Sequence, residues 1–408
     1  MLKGLRRPLL FIFTFTFLVT CIDPFDPGLK DSESLLVVDA LVTNENRSFQ
    51  VKLSRTIDVQ LEDPPPVTGA LVSVRDNFGK STVFQETTGG IYKSDSLVFH
   101  GVIGNSYILS IKTPEGDEYE SEPCTMAPVQ NLEKIYFIKD QEILNNGSQI
   151  LEGIRIFIDS EGADNIRYLR WVFNEYWETC VPDPKKYNYI NDSTILEVDQ
   201  IKQICWRNYR SDKIIIESTN LSQTNNVEKK PIAFIASAES DRLLIRYCIE
   251  IKQLSLSRSE FDFWDQLIQL NESGGEIFDK QPFKLVSNIH NINNPREAVL
   301  GYFQVSAADL KRFYITPGDI GELNIPLYQY DCRRIVLGPD DFPPPIVPNS
   351  GMTFDKIFKL YSAPDYEFIE PIYDSQGKLQ KLAFSRPVCA DCSLNGTLFK
   401  PYFWDDQR

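Results

Sequence analysis

Ser106-Tyr107-Ile108-Leu109-Ser110-Ile111 is the stretch on which the reading of the fold turns. Tyr107, Leu109 and Ile111 form one face of a two-residue period, the mark of a strand with one buried side. Pro114-Glu115-Gly116-Asp117 then reverses the chain, since proline and glycine supply the dihedrals of a tight turn. Working outward, the same unit recurs. Leu36-Val37-Val38 and Leu41-Val42 open the region, and Phe49-Gln50-Val51-Lys52-Leu53-Ser54 alternates apolar with polar. Ala70-Leu71-Val72-Ser73-Val74-Arg75 runs into the turn Asp76-Asn77-Phe78-Gly79, and Thr82-Val83-Phe84 and Ile91-Tyr92 flank Gly89-Gly90. Seven or so short strands within roughly 95 residues predict a β-sandwich of immunoglobulin or transthyretin type over residues 35–127.

A larger β-rich region with one or two short helices is expected over 128–386. Its strand candidates are Ile135-Tyr136-Phe137-Ile138, Ile154-Arg155-Ile156-Phe157-Ile158, Tyr168-Leu169-Arg170-Trp171-Val172-Phe173, Ile214-Ile215-Ile216 and Ile232-Ala233-Phe234-Ile235. Leu243 to Leu254 alternates, and strands resume at Lys284-Leu285-Val286 and Gly301-Tyr302-Phe303-Gln304-Val305. Between them Ser257-Arg258-Ser259-Glu260 reads as a capping box. Phe261, Trp264, Leu267, Ile268 and Leu270 follow at helical spacing and stop at Gly274-Gly275, predicting one amphipathic helix packed on its own sheet. Val181–Glu197 and the proline-rich Gly338–Ser350 read as irregular loops, and residues 387–408 as a cysteine-bearing tail.

The chain start carries an address. Lys3, Arg6 and Arg7 precede the apolar run Pro8–Val19, which Leu18-Val19-Thr20-Cys21 closes. A basic start and a short apolar core read as a secretory signal over residues 1–20. A cysteine immediately after it is the expected acceptor of a lipid anchor, with residues 21–34 as a Pro-rich, acidic tether.

Lys+Arg number 42 against Asp+Glu 57, a net charge of −15, which argues against nucleic acid as partner because phosphate binding needs clustered bases. Two histidines, His100 and His290, leave little room for His-based catalysis or metal binding. Neither a Gly-x-Ser-x-Gly elbow nor a phosphate-cradling or dinucleotide motif occurs. Asp340-Asp341 and Asp405-Asp406 lack calcium-loop spacing and read as solvated charge. A glycosidase's carboxylate pair has no fixed spacing, so the sequence does not test for one. The expectation is a non-enzyme without cofactor or metal.

Of eight cysteines, Cys21 is assigned to lipid, leaving seven. Past the inner membrane these should pair, with one free; Cys248, inside an apolar strand pattern, is the candidate. Cys180 and Cys205 bracket a polar segment and are expected to close it, while Cys332 is expected to reach Cys389 or Cys392. Cys389-Ala390-Asp391-Cys392 is followed by a turn rather than a helix and has no second pair at zinc spacing, so it reads as structural.

Several segments in order resemble a family of envelope lipoproteins of Bacteroidota, domain of unknown function 4249. They include Leu36-Val37-Val38-Asp39-Ala40, Val51-Lys52-Leu53-Ser54-Arg55, Gly69-Ala70-Leu71-Val72-Ser73-Val74, Tyr119-Glu120-Ser121-Glu122, Cys205-Trp206, Gly301–Ser306, Cys332-Arg333, the Cys389–Cys392 motif and Lys400-Pro401-Tyr402-Phe403-Trp404. The resemblance runs from about Cys21 to Trp404. It implies an outer-membrane-associated lipoprotein accompanying a TonB-dependent transporter, and supplies no catalytic residues. The leading expectation is a binding or accessory subunit of such a β-barrel transporter, touching it through Val181–Glu197, with Tyr187 and Tyr189, and Gly338–Ser350. A surface glycan-binding protein or hydrolase, and a structural envelope lipoprotein, are the alternatives.

Overall fold

The computed structural model describes residues 34–56, 63–144, 147, 149–162, 165–273, 286–325, 330–342, 351–362 and 364–405. The leader, Cys21 and nearly all of the tether lie outside them, as do Lys284 and Leu285. The chain is mainly β. Its first strands are β1 (Leu36–Val42), β2 (Gln50–Arg55), β3 (Leu71–Asp76), β4 (Ser81–Thr88), β5 (Ile91–Lys93), β6 (Ser106–Lys112), β7 (Glu118–Ser121) and β8 (Cys124–Thr125). There follow β9 (Leu132–Leu144), β10 (Gln149–Ser160), β11 (Tyr168–Cys180), β12 (Tyr187–Asn191), β13 (Thr194–Glu197), β14 (Ile204–Arg210), β15 (Ile215–Ser218), β16 (Val227–Ala236) and β17 (Arg246–Ser255). The rest comprises α1 (Arg258–Ser273), β18 (Ile289–Asn291), β19 (Leu300–Val305), β20 (Ala307–Ile315), α2 (Pro317–Ile320), β21 (Ile335–Leu337), α3 (Phe354–Tyr361), β22 (Glu367–Tyr373), β23 (Leu379–Ser385) and α4 (Pro387–Ala390).

β4 makes the first body barrel-like. Its residues Ser81–Phe84 pair with β3, whereas Gln85–Thr88 pair with β5, so one strand passes from one sheet to the other. The hydrogen-bonded path runs β18-β7-β6-β3-β4-β5-β2-β1-β19 and wraps a core of Leu36, Val38, Leu53, Val72, Tyr107, Leu109 and Phe303. This body does not end at residue 127. β18 and β19 return from the second half of the chain, β19 lying parallel to β1 with Val38 opposite Gly301. Gly301 has φ +89°, and a Cβ there would sit 1.9 Å from the Val38 carbonyl oxygen. The seam between the two ends of the path is closed by a side chain. Buried Asn288 accepts from the Phe303 N–H at 2.9 Å and donates to the Phe303 carbonyl at 2.9 Å, imitating a ladder rung.

The second body stacks the sheet β16-β10-β9 on the sheet β14-β11-β17-β20, with β15 also on β11. Ile154, Ile156, Ile158, Trp171, Phe173, Tyr247, Ile249 and Ile251 fill the space between. Two-residue alternation places Trp171, Phe173, Glu175 and Trp177 on the same inner face of β11. α1 starts at the expected capping box: the Ser257 N–H donates to Glu260 at 2.7 Å and the Glu260 N–H to the Ser257 hydroxyl at 3.2 Å. The helix packs on two bodies rather than on one sheet. Phe261 meets Tyr168 at 4.9 Å, Phe263 meets Tyr302 at 4.8 Å, and the buried Glu260 carboxylate accepts from the Val305 N–H at 2.9 Å.

A third, smaller body is the sheet β21-β23-β22 with α3 and the hairpin β12-β13 packed on it, around Tyr189, Ile357, Phe368, Leu382 and Phe384. Val181–Glu197 is therefore not an irregular loop: the side chains of Tyr187, Tyr189 and Ile195 find apolar partners that only tertiary packing supplies. In Gly338–Ser350, Pro339–Asp341 form a 3₁₀ turn, and residues 343–350 lie outside the described part. The tail crosses the outer face of the second body. Phe403 meets Tyr176 edge-on at 4.9 Å, its carbonyl accepts from the Tyr314 hydroxyl at 2.8 Å, and Arg312 lies 4.0 Å over its ring.

Candidate functional site

Two clefts, on the second and third bodies, combine volume with chemistry. The first opens at the edge of the second body, about 600 Å³, lined by Glu142, Leu151, Trp177, Arg207, Tyr209, Phe234, Asp241 and Arg242 among others. At its floor the buried Asp241 carboxylate accepts from Trp177 Nε1 at 3.0 Å, Thr179 Oγ1 at 2.7 Å and Arg207 Nη1 at 3.2 Å. Arg207 and Arg242 lie 5.0 and 5.1 Å from the Trp177 ring centre. Behind them Glu175, also buried, accepts from the Tyr247 hydroxyl at 2.7 Å, and Arg242 approaches it at 3.7 Å. Burial pushes the Glu175 carboxyl up, against the opposing pull of Arg242. Asp241 is paired with Arg207 and Glu175 with Arg242, so the buried charges at the floor fix a wall rather than activating a nucleophile. Trp177's N–H is taken by Asp241 and guanidinium groups lie against its ring, which leaves poor purchase for a stacked sugar.

The second cleft, about 590 Å³, lies between the β12-β13 hairpin, α3 and β22. It is lined by Asn188, Ile190, Leu196, Phe358, Tyr366 and Pro387 among others. Ile190 and Leu196 are exposed, because alternation along the hairpin sends Tyr189 and Ile195 inward and their neighbours outward. Tyr189 is thus not a surface contact. Its ring stacks on Phe358 at 4.6 Å, its hydroxyl donates to Asp355 at 2.7 Å, and burial together with that carboxylate pushes its hydroxyl well up. Tyr187 is half-buried against the same core.

The cysteines pair as Cys205–Cys392 and Cys332–Cys389. Cys332 takes one of its two expected partners. The expected Cys180–Cys205 bond is overturned: Cys180 carries a free thiol. The reason is register. β11 and β14 do pair, but Cys180 faces Ile204 while Cys205 faces Thr179, so the two side chains leave opposite faces of the sheet. Cys248 is free and buried, as expected; Cys124 is free as well. Burial pushes the thiols of Cys124 and Cys248 up to about 12, which suits inert packing rather than reactivity. The bonded cysteines staple β14, the loop before β21 and the tail to one another, beside the hairpin cleft.

No cluster of three or more metal-ligating side chains occurs among the described residues, and no helix there is long and apolar enough to cross a membrane. Trp177, Arg207, Asp241 and Arg242 were not singled out by sequence. The available signal was Glu175, a charged residue at an inward register position of a strongly alternating strand, which demands a buried partner.

The architecture defines a mainly β protein of packed sheets in a sandwich- or barrel-like arrangement, stapled by two disulfides. The chain belongs to the family described as a domain of unknown function, DUF4249, whose model matches residues 22–312. The match ends before Cys332, the Cys389–Cys392 motif and the aromatic tail, so these are features of the chain beyond the matched region. No curated protein and no solved structure matches the chain.

Proposed function

We propose that this protein is a non-enzymatic accessory or binding lipoprotein of the outer membrane, held by lipid on Cys21 and docked to a TonB-dependent β-barrel transporter. The observation that carries the reading is the hairpin cleft. Exposed Ile190 and Leu196 flank a concavity on a body stapled by Cys205–Cys392 and Cys332–Cys389. Apolar side chains beside a rigid hollow suit recognition of a protein surface, where buried anchors dominate affinity. The disulfides support an oxidising compartment beyond the inner membrane. The first body, of immunoglobulin or transthyretin type in this reading, is the membrane-proximal module. Affinity purification of the tagged protein in mild detergent, followed by mass spectrometry, tests the reading. A barrel protein should copurify and be lost in Ile190→Asp/Leu196→Asp, while Cys21→Ala should release the protein from membranes and abolish fatty-acid labelling. Bait recovered repeatedly without any barrel above background would refute the partner.

A further inference from the structure

We infer that one end of the first body is a bilayer-contacting tip, built from Phe78 on the β3-β4 turn and Leu97, Val98, Val102 and Ile103 on the loop before β6. The inference takes from the preceding section only the placement at a membrane surface. These five side chains are 78, 93, 49, 45 and 44% exposed. A lone exposed leucine is ordinary on a protein surface, but a group on adjoining loops marks an interaction site. The loops do adjoin. Lys80 Nζ donates to the Val98 carbonyl at 3.4 Å, the Asn77 N–H donates to the Ser106 carbonyl at 3.0 Å, and Asn77 Oδ1 accepts from the Ser106 N–H at 3.2 Å.

Their outward direction is imposed from inside. Phe99 is buried and meets Phe49, Phe84 and Tyr107 edge-on at 5.9, 5.7 and 5.9 Å. Two residues on, the Gly101 N–H donates to the Thr43 carbonyl at 3.1 Å, and a Cβ there would meet that oxygen at 2.4 Å. With Phe99 and Gly101 pinned, Leu97 and Val98 on one side and Val102 and Ile103 on the other are left projecting. The carboxylates nearby are turned to the backbone: Asp76 accepts from the Phe78 and Lys80 N–H groups at 2.9 Å each, and Asp95 from the Leu97 N–H at 2.8 Å. Exposed His100 and Lys80 accompany these apolar side chains, and the Lys80 ammonium is held against the Val98 carbonyl. The tip residues line neither cleft described above, so a flat apolar phase suits them better than a peptide that needs a groove.

The anchor reaches. The described chain begins at the far end of the body, where Leu36 pairs with Arg55, whereas the Val42 end of β1 leads to Thr43 and its bond from Gly101. Thirteen residue steps from Cys21 to Ser34 span at most about 45 Å. The seven-residue β1 covers only about 23 Å, so lipid on Cys21 and the tip can engage one surface. The chain's charge of −15 disfavours anionic headgroups, and the occupant assigned is a zwitterionic bilayer.

Sedimentation with sucrose-loaded phosphatidylcholine vesicles tests this, using the chain from Ile22 onward, which loses none of the described residues and has no acyl group. The chain should pellet with vesicles, and Phe78→Asp/Leu97→Asp should lower its partition at least tenfold. Leu97→Asp alone should lower it less, with the circular-dichroism melt of each variant preserved. Leu221→Asp/Tyr373→Asp, at exposed sites elsewhere, should leave partition unchanged. A chain that stays in the supernatant, a tip variant that pellets like the parent, or an equal loss in the control would overturn the inference. So would tip-dependent dimerisation in sedimentation velocity without vesicle binding, which would make a second copy the occupant. The assay contains neither barrel nor lipid anchor, so its failure leaves the transporter reading standing, and failure of the pull-down leaves the tip standing.

Discussion

Replacing Cys205 and Cys392 together by serine removes the cross-link that spans the longest stretch of chain, a separation of 187 residues. Loop-closure entropy for such a span is about 5 kcal/mol at 25 °C. The nested Cys332–Cys389 bond, of separation 57, shortens the free path to roughly 130 residues, which lowers the logarithm so little that the figure stays about 5 kcal/mol. For 408 residues the entropy of unfolding is about 0.9 kcal/mol/K, so Tm should fall by about 6 °C. Cys180→Ser, by contrast, touches only a half-buried free thiol and should shift stability by no more than about 1 kcal/mol. Had Cys180 closed the short segment to Cys205, its loss would have cost roughly 3 kcal/mol instead. Calorimetry of the unreduced variants, paired with peptide mapping under non-reducing conditions, separates the cases. A Cys180–Cys205 peptide, or a Cys180→Ser variant destabilised as much as the double serine variant, would refute the register argument.

Three further outcomes are expected. Burial holds the Glu260 carboxyl up at about 7, above its unfolded value near 4.5, so its contribution is full below about pH 4.5 and lost as pH rises through 7. The stability of the parent relative to Glu260→Gln should therefore fall by about 3 kcal/mol between pH 4 and pH 8 in urea titrations, and a flat difference would contradict this. Asp241→Ala strands the Trp177 N–H and the Arg207 guanidinium and should cost about 3 kcal/mol, read by tryptophan fluorescence during denaturation; a loss below about 1 kcal/mol would show that the network is not a unit. Gly301→Ala places a methyl group against the Val38 carbonyl at positive φ and should cost at least about 2 kcal/mol, with faster amide exchange along β1 and β19.

Sequence alone settled what depends on neighbours along the chain. The alternation of Tyr107, Leu109 and Ile111 marked β6, and the Ser257–Glu260 box marked the start of α1, because a half-buried strand and a capped helix each leave a period or a spacing in a few consecutive residues. Buried, free Cys248 was legible for the same reason, sitting within the alternating run of β17. What the tertiary structure decided is whatever joins distant residues. Periodicity at Gly301–Val305 announced a strand but not that it would lie parallel to β1 and complete the first body. The segment holding Tyr187 and Tyr189 looked polar and irregular, and became a hairpin because Phe358 and Phe368, far along the chain, supply its apolar partners. Proximity in sequence suggested Cys180 with Cys205, whereas a one-residue register sends their side chains to opposite faces and brings Cys392 in from the tail. The cleft around Trp177, Asp241 and Arg207 was invisible for the same physical reason. A buried charge is tolerated only where its partner arrives, and that arrival is set by strand pairing and packing across the whole chain.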